Sequence, residues 1–476
     1  MRFINFPILQ LVLVLLLQTL VVLSQNIING SVPVGESLTA SQKFPSSWLS
    51  SSGEFAFGFR KIQPNDGFSL SIWFDKIPDK TIVWHAQAVR TTTGLVPDGS
   101  RVTLTSNSGL VLTGPRGQQL WSSSLPRVRS PVSRGLITDA GNFCLLGEAT
   151  DYSDELLWSS FANPTDTLLP TQSIEVRGNL SSRRTETSLK KGRFRLRLGG
   201  DGDLQLLTLN SDTLAETDVY FAYYSSNTND PRSPGYRLVF SESGYVYVIL
   251  RDNTTRFILN KKGPVSSREF YHRVVLHFDG VLAQYYHPKS QVNNDNNNGW
   301  SLAWSEPENI CGKRFGQSLD ANELGNLACG FNNICVLGDN QRPKCECPER
   351  FVLVDPSDEY GDCKPGFEMQ TCGPESNNQT ETEDSDANLY EFITLERTNW
   401  PSGDYKRYSN YDEGSCKAAC LKDCFCAAVV LGRDRLCWKK KFPLSYGFRD
   451  PNGDSDTFVK VRKKRLPSTR KSGSRS

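Results

Sequence analysis

The sequence predicts a mainly β chain whose second half must be held together by disulfides, and three observations lead there. From residue 25 to about residue 290, short apolar–polar alternations are broken by turn residues, with almost no helical period. Of the 13 cysteines, all but Cys144 and Cys437 fall between Cys311 and Cys426. Between the two halves, Asn293-Asn294-Asp295-Asn296-Asn297-Asn298-Gly299 lacks any apolar residue and reads as a flexible boundary loop.

Size and charge narrow the classes. At 476 residues the chain is too long for one core, so roughly three or four domains are expected. The 54 Lys+Arg against 52 Asp+Glu leave a formal charge of +2, which gives no field to attract nucleic acid or an anionic membrane. Cysteine at this density points to an oxidising compartment. The N-terminus agrees, because Arg2 precedes an apolar stretch over residues 8–23, so residues 1–24 read as a signal peptide cleaved near Ser24/Gln25. Gln10, Gln18 and Thr19 interrupt that stretch and argue against an uncleaved anchor. No later window offers ~18 consecutive apolar residues, so the mature chain is expected to have no membrane span and to be soluble.

Taken in order, Val102-Thr103-Leu104-Thr105, the turn Ser106-Asn107-Ser108-Gly109 and Leu110-Val111-Leu112-Thr113 read as strand, turn, strand. Gly200-Asp201-Gly202-Asp203 repeats that chemistry between residues 194–198 and 204–207. Trp73, Trp84, Trp121 and Trp158 are candidates for repeats whose indoles fill one shared core, although any β-rich domain of this size carries core tryptophans. Beyond the boundary loop, Cys311, Cys329, Cys335, Cys345, Cys347 and Cys363 sit among few large aliphatics, too few to close a core without covalent staples. Cys372, Cys416, Cys420, Cys424, Cys426 and Cys437 flank a segment with more apolar content. Residues 415–421 have the types of a short helix, and the C-x3-C spacing puts both sulfurs on one face. Residues 377–388, rich in Asn, Glu, Asp and Thr, read as a solvated loop, and residues 460–476 form a basic tail with no acidic residue.

Several motifs resemble one plant family. Leu157-Trp158-Ser159-Ser160-Phe161-Ala162-Asn163-Pro164-Thr165-Asp166-Thr167-Leu168-Leu169-Pro170 resembles the W-x-S-F-x-x-P-T-D-T-L-L-P signature of plant S-domain ectodomains. Upstream, Gly53-Glu54-Phe55-Ala56-Phe57-Gly58-Phe59, Ile72-Trp73-Phe74, Ile77-Pro78 and Thr81-Ile82-Val83-Trp84 are similar to a bulb-type mannose lectin. Residues 328–335 and 343–348 resemble an EGF-like module, and residues 416–427 with Cys437-Trp438-Lys439-Lys440-Lys441 resemble a PAN/apple module. On these motifs the chain resembles the ectodomain of the G-type lectin S-receptor-like serine/threonine kinases, lectin receptor kinase subgroup. The resemblance implies tandem bulb-type (β-prism-like) lectin domains over residues 25–152 and 153–292, a linker over 293–300, an EGF-like module over 301–366, a small α+β PAN/apple module over 367–463 and a basic disordered tail over 464–476. In the full receptors a transmembrane helix and a kinase follow the PAN module. Here G-x-G-x-x-G-x-V, H-R-D-L-x-x-x-N and D-F-G are all missing, so no phosphate cradle, catalytic base or metal ligand for phosphoryl transfer is present and this chain is expected not to be an enzyme.

The resemblance also implies where a sugar would bind. Lectins of this type hold mannose through Q-x-D-x-N-x-V-x-Y, whose amide, carboxylate and phenol converge on sugar hydroxyls. At that spacing this chain has Thr105, Asn107, Gly109, Val111 and Thr113 in one repeat, and Thr138, Ala140, Asn142, Cys144 and Leu146 in another. Only Val111 and Asn142 match, so the fold is expected to persist while mannose binding by this motif is lost. Metal chemistry has less support: His85, His272, His277 and His287 show no ligand spacing, and no cofactor is implied. Asp450-Pro451-Asn452-Gly453-Asp454 mimics the start of a calcium loop, but Ser455 and Val461 stand where Gly and Glu are needed. Neither G-x-S-x-G nor a paired-carboxylate signature points to a hydrolase. Sequons occur at Asn29, Asn179, Asn253 and Asn378.

For the cysteines, the resemblance implies Cys311–Cys335, Cys329–Cys345 and Cys347–Cys363 in the EGF-like module, then Cys416–Cys437, Cys420–Cys426 and, as the remaining pair, Cys372–Cys424. Cys144 is left over and is expected to be a buried free thiol acting as a small hydrophobe. The expected function is non-catalytic extracellular recognition of a glycan or peptide, by a secreted chain that shares ligand or dimer contacts with full-length receptors, as a homodimer or heterodimer. The alternative is a membrane receptor kinase of which this sequence lacks the helix and kinase, and its location would then be the cell membrane.

Overall fold

The structure is a computed structural model that describes residues 30–43, 47–63, 67–88, 91, 93–125, 130–148, 153–209, 220–252, 256–290, 299–312, 328–370, 372 and 389–463. The expected signal peptide, residues 293–298 of the boundary loop, the loop 377–388, the tail 464–476 and the sequons at Asn29, Asn253 and Asn378 lie outside the described residues. The chain divides into two compact units: one runs to Glu306, and the other starts at Pro307 and groups with Thr208–Tyr223.

The first unit opens with three short strands, Ser31–Pro33, Ser37–Thr39 and Ser47–Leu49 (β1 to β3). Three three-stranded meanders follow. They are Phe55–Ile62, Gly67–Phe74 and Ile82–His85 (β4 to β6), then Arg101–Thr105, Gly109–Thr113 and Gln119–Ser122 (β7 to β9), then Val132–Ile137, Phe143–Glu148 and Asp154–Ser159 (β10 to β12). The opening strands pair with the meanders in reverse order, β3 with β4, β2 with β7 and β1 with β10, closing three four-stranded antiparallel sheets. Alternation along each strand explains the layering: in β7 Val102 and Leu104 are fully buried while Thr103 and Thr105 are half-buried. In the register of β7 with β8, Val102 faces Leu112 and Leu104 faces Leu110, so the apolar rows of both strands enter the same core.

The last strand of each meander carries one tryptophan, and Trp84, Trp121 and Trp158 are equally spaced along the chain. Their rings meet edge to face, with centroids 5.8, 5.9 and 6.2 Å apart, closing a triangle where the three sheets converge. Such pairs add about 0.5–1.5 kcal/mol each beyond the area they bury. Trp73 does not join them. It stands on the other face of β5 and donates from Nε1 to Asp75 Oδ1 at 2.9 Å, so the shared core takes three of the four expected indoles.

The same plan recurs. Thr167–Leu168, Ser173–Glu175 and Asn179–Arg183 (β13 to β15) precede Lys191–Leu198, Leu204–Leu209 and Tyr220–Ser225 (β16 to β18). Gly235–Phe240, Val246–Leu250 and Arg256–Ile258 (β19 to β21), then Phe270–Leu276, Leu282–Pro288 and Ser301–Glu306 (β22 to β24), complete it. Again β15 pairs with β16, β14 with β19 and β13 with β22. Apart from residues 208–223, which group with the second unit, the first unit is thus built of two prisms of identical strand order.

The second unit is held by disulfides. Its first strands are Ile334–Leu337, Pro343–Glu346, Phe351–Leu353 and Cys363–Pro365 (β25 to β28), followed by Tyr390–Leu395, Thr398–Asn399 and Asp404–Tyr408 (β29 to β31). Helix Glu413–Leu421 (α1) precedes Ala428–Gly432, Cys437–Lys440, Gly447–Arg449 and Ser455–Arg462 (β32 to β35). Bonds join Cys311 to Cys335, Cys329 to Cys345, Cys347 to Cys363, Cys372 to Cys424, Cys416 to Cys437 and Cys420 to Cys426. The two cysteine-rich segments share a sheet, because β25 pairs in parallel with β34, and they share a core in which Ile334 and Phe351 pack with Trp400, Ala428 and Val459. α1 begins two residues before the expected 415, because Asp412 caps it by accepting from Ser415 N at 2.8 Å. Cys416 and Cys420 are its buried residues, one turn apart on one face. The calcium-like run at 450 is a turn: Asp450 Oδ1 accepts from Asn452 N, and from Ser455 on the chain is strand.

Candidate functional site

The positions where a bulb-type lectin would hold sugar lie on strand-turn-strand units of the first prism. On β7 and β8, Thr105 Oγ1 donates to Gly109 O at 3.0 Å and accepts from Ser108 N at 3.2 Å, so its hydroxyl closes its own turn. Thr113 Oγ1 donates to Arg101 O at 3.3 Å. Gly109 is buried with φ +65°, and a Cβ there would lie 2.4 Å from Ser123 Oγ. Asn107 is exposed at the turn beside Ser108, and Val111 is half-buried. A short hydroxyl and a hydrogen stand where long polar groups would be needed, and the hydroxyls that remain serve the backbone.

In the next meander Asn142 stands at the motif's Asn position and bonds within the protein. Its Oδ1 accepts from Ser160 Oγ and Phe161 N, both at 3.0 Å, and its N–H donates to Thr138 Oγ1 at 3.1 Å. The carboxamide thereby locks the start of the segment that leads to the second prism. Cys144 follows on the outward face of β11, where Phe143 and Leu145 point into the core. Leu136 and Ser159 flank it on the neighbouring strands and leave it 8% exposed. Burial pushes its thiol up to about 11, so the thiolate is scarce at neutral pH.

The signature that begins at Leu157 forms a joint between the prisms. Trp84 Nε1 donates to Asn163 O at 2.8 Å, and Gln172 Nε2 donates to Phe161 O at 2.9 Å. Asp166 is buried and meets Arg183 Nε at 2.6 Å, with the Thr165 and Thr167 hydroxyls donating to its Oδ1. Burial works to raise the Asp166 carboxyl, but Arg183, by its charge and its hydrogen bond, outweighs it and holds it below the usual carboxylate range. Around this pair, Trp300 Nε1 donates to Thr81 Oγ1 at 2.7 Å and Phe74 stacks at a tilt on Tyr271. Arg273 lies 4.4 Å from the Trp300 ring, and its guanidinium is lowered to about 10, chiefly by burial. β5, in the sheet that meets the second prism here, is buried along its whole length on both faces.

One polar set was not singled out from sequence although its spacing was available there. In the last meander, His277-x-Asp279-x-Val281-x-Ala283-x-Tyr285 has Asp and Tyr at the motif's positions. The structure ties it together: His277 Nε2 and Tyr285 Oη, both residues half-buried, are 3.0 Å apart, Asp279 is fully buried and accepts from Val281 N, and Arg273 lies over the Tyr285 ring.

Two prisms of this order followed by a disulfide-rich unit define a bulb-type lectin architecture joined to a small α+β module, and comparison with known proteins agrees. Residues 81–190 match the D-mannose binding lectin family, and residues 386–443 match the PAN-like domain. More narrowly, the chain corresponds to the ectodomain portion of the G-type lectin S-receptor-like serine/threonine-protein kinases. It is 60% identical over 475 residues to the member RLK1 of Arabidopsis thaliana, covering 98% of this chain and 54% of that protein. It is 36% identical over 458 residues to LECRK3 of Oryza sativa subsp. indica, covering 93% and 52%. The chain thus spans about half the length of the curated relatives it matches. Among solved structures, the two-domain fetuin-binding agglutinin of Scilla campanulata aligns over 57% of this chain and 94% of its own, at 19% identity and a TM-score of 0.20. No helix among the described residues is long and apolar enough to cross a membrane.

Proposed function

We propose that this chain is a non-catalytic extracellular recognition protein whose ligand is a glycan or peptide other than mannose held by the Q-x-D-x-N-x-V-x-Y motif. The observation that carries the reading is the inward use of the motif positions: Thr105 and Thr113 bond their own backbone, and Asn142 is committed to Ser160 and Phe161. Each sugar hydrogen bond forgone is worth ~0.5–1.5 kcal/mol, so losing several removes orders of magnitude in affinity. A glycan array with the mature chain, run beside mannose-agarose, tests it. The chain is expected to pass through mannose-agarose; strong retention released by free mannose would overturn the reading. In this reading the chain is secreted after removal of residues 1–24, is glycosylated at accessible sequons such as the exposed Asn179, and shares ligand or dimer contacts with complete receptors.

A second reading is favoured by the coverage of the relatives, of which this chain spans about half. In it the protein continues into a membrane helix and a serine/threonine kinase, and the recognition unit described here is its outer part. Sequencing the transcript past the codon for Ser476 separates the two, because an in-frame apolar helix followed by kinase motifs would exclude the secreted form.

A further inference from the structure

The second unit contains a cleft that neither the lectin reading nor the disulfide framework explains. Its volume is about 350 Å³, within the range of small-ligand sites but enough for one substituted ring rather than an extended peptide. Phe367, Tyr390, Phe425 and Phe442 line it together with Lys441 and Lys460, and no carboxylate contributes to the lining. Phe425 is 67% exposed, the most exposed large hydrophobic among the described residues. Its backbone is nevertheless anchored, since it sits between Cys424, bonded to Cys372, and Cys426, bonded to Cys420, and its N–H donates to Asp423 Oδ1 at 3.1 Å. Phe367 and Phe442 are fixed from behind by the Phe351 ring, at 5.6 and 6.1 Å. An aromatic surface fixed in advance loses little entropy on binding.

The second observation is electrostatic. Lys460 is only 5% exposed, and its Nζ donates to Asp423 O at 2.8 Å, Gln370 Oε1 at 3.0 Å and Cys420 O at 3.4 Å, all neutral acceptors. The Asp423 carboxylate, whose charge also acts on Lys460, is bonded to Lys439 Nζ at 2.7 Å and to the Tyr405 hydroxyl at 2.8 Å. Burial accordingly pushes the Lys460 amine down to about 8. A buried cation whose charge partner, Asp423, is shared with another lysine is costly to the fold, and an arriving anion offsets that cost.

We propose that this cleft binds a small aryl anion, a single ring system bearing a carboxylate or sulfonate, with the ring among Phe367, Phe425 and Phe442 and the anionic group directed at Lys460 and Lys441. The site lies in the PAN-like part of the chain and stands or falls independently of sugar binding by the prisms. It is tested by calorimetric titration of the whole disulfide-bonded chain with 2-naphthalenesulfonate and with its neutral analogue 2-naphthalenemethanol. The sulfonate should bind about tenfold more tightly than the alcohol, the worth of one charge-assisted contact. F425A should weaken both probes about equally, by roughly tenfold for the lost aromatic face. K460M should bring the sulfonate down to the affinity of the alcohol. Because Phe425 is exposed, F425A tests the site even where K460M does not fold, and the charge preference is read in the unaltered protein. Equal affinity for the two probes, no binding of either at millimolar concentration, indifference to F425A, or displacement by excess mannose would each overturn the proposal.

Discussion

Lowering the pH from 7 to 5 should destabilise the first unit through His85, and the size of the effect follows from its position at the prism joint. His85 is 2% exposed on β6, and burial pushes its imidazole from 6.5 down to about 4, with Asp166 opposing the shift and Arg183 adding to it. The folded state therefore binds fewer protons than the unfolded chain throughout the interval between those values. Stability carried by this residue is fully present above the unfolded value and is lost as pH falls through 6.5 toward 4. At 1.36 kcal/mol per unit the whole effect is about 3 kcal/mol, and integration to pH 5 gives a loss of about 2 kcal/mol. Asp166 does not confuse this window, because its depressed carboxyl keeps its contribution until the pH is below the ordinary carboxylate range. Urea unfolding at pH 7, 6 and 5, followed by the fluorescence of the Trp84–Trp121–Trp158 triangle, measures it. His85→Gln should flatten the profile by about 2 kcal/mol between pH 7 and 5. A variant that keeps the wild-type slope would show that His85 is not the neutral group the joint requires.

Two further outcomes can be checked directly. Alkylation with peptide mapping should label one thiol, Cys144, and only after denaturation, since its sulfur is buried and its pKa is raised to about 11; a reducible dimer abolished by Cys144→Ser would contradict this. Gly109→Ala should cost roughly 2–4 kcal/mol in urea unfolding, because φ is +65° and the new Cβ would lie 2.4 Å from Ser123 Oγ and 2.6 Å from Leu145 Cδ1; a change under about 0.5 kcal/mol would refute the tight packing of that turn.

The strands of the prisms were legible because their period-two alternation is strong: Val102, Leu104, Leu110 and Leu112 can face one core only if residues 101–105 and 109–113 pair across a tight turn. The helix at Glu413–Leu421 was legible from C-x3-C, but its first turn was not, because the cap belongs to a side chain outside the run of helix-forming residues. The role of Asp166 was invisible for a different reason. A carboxylate inside a Pro-Thr-Asp-Thr run looks like a turn residue, and only the tertiary structure brings Arg183 to it. The cleft by Phe425 lay beyond sequence reading for the same cause, since Lys460 and Phe367 meet Phe425 from segments far apart in the chain.

The prism also shows how such a fold separates stability from sugar binding. Inward positions of each meander hold the core, and the tryptophans at the meander ends close it, so outward residues can change without loss of the fold. At Thr105 and Thr113 the hydroxyls bond the nearest backbone. At the joint, β5 is buried on both faces, so tandem packing uses surface that a single prism would leave open. A sugar site on the β10–β11 face would require Asn142 to give up its bonds to Ser160 and Phe161.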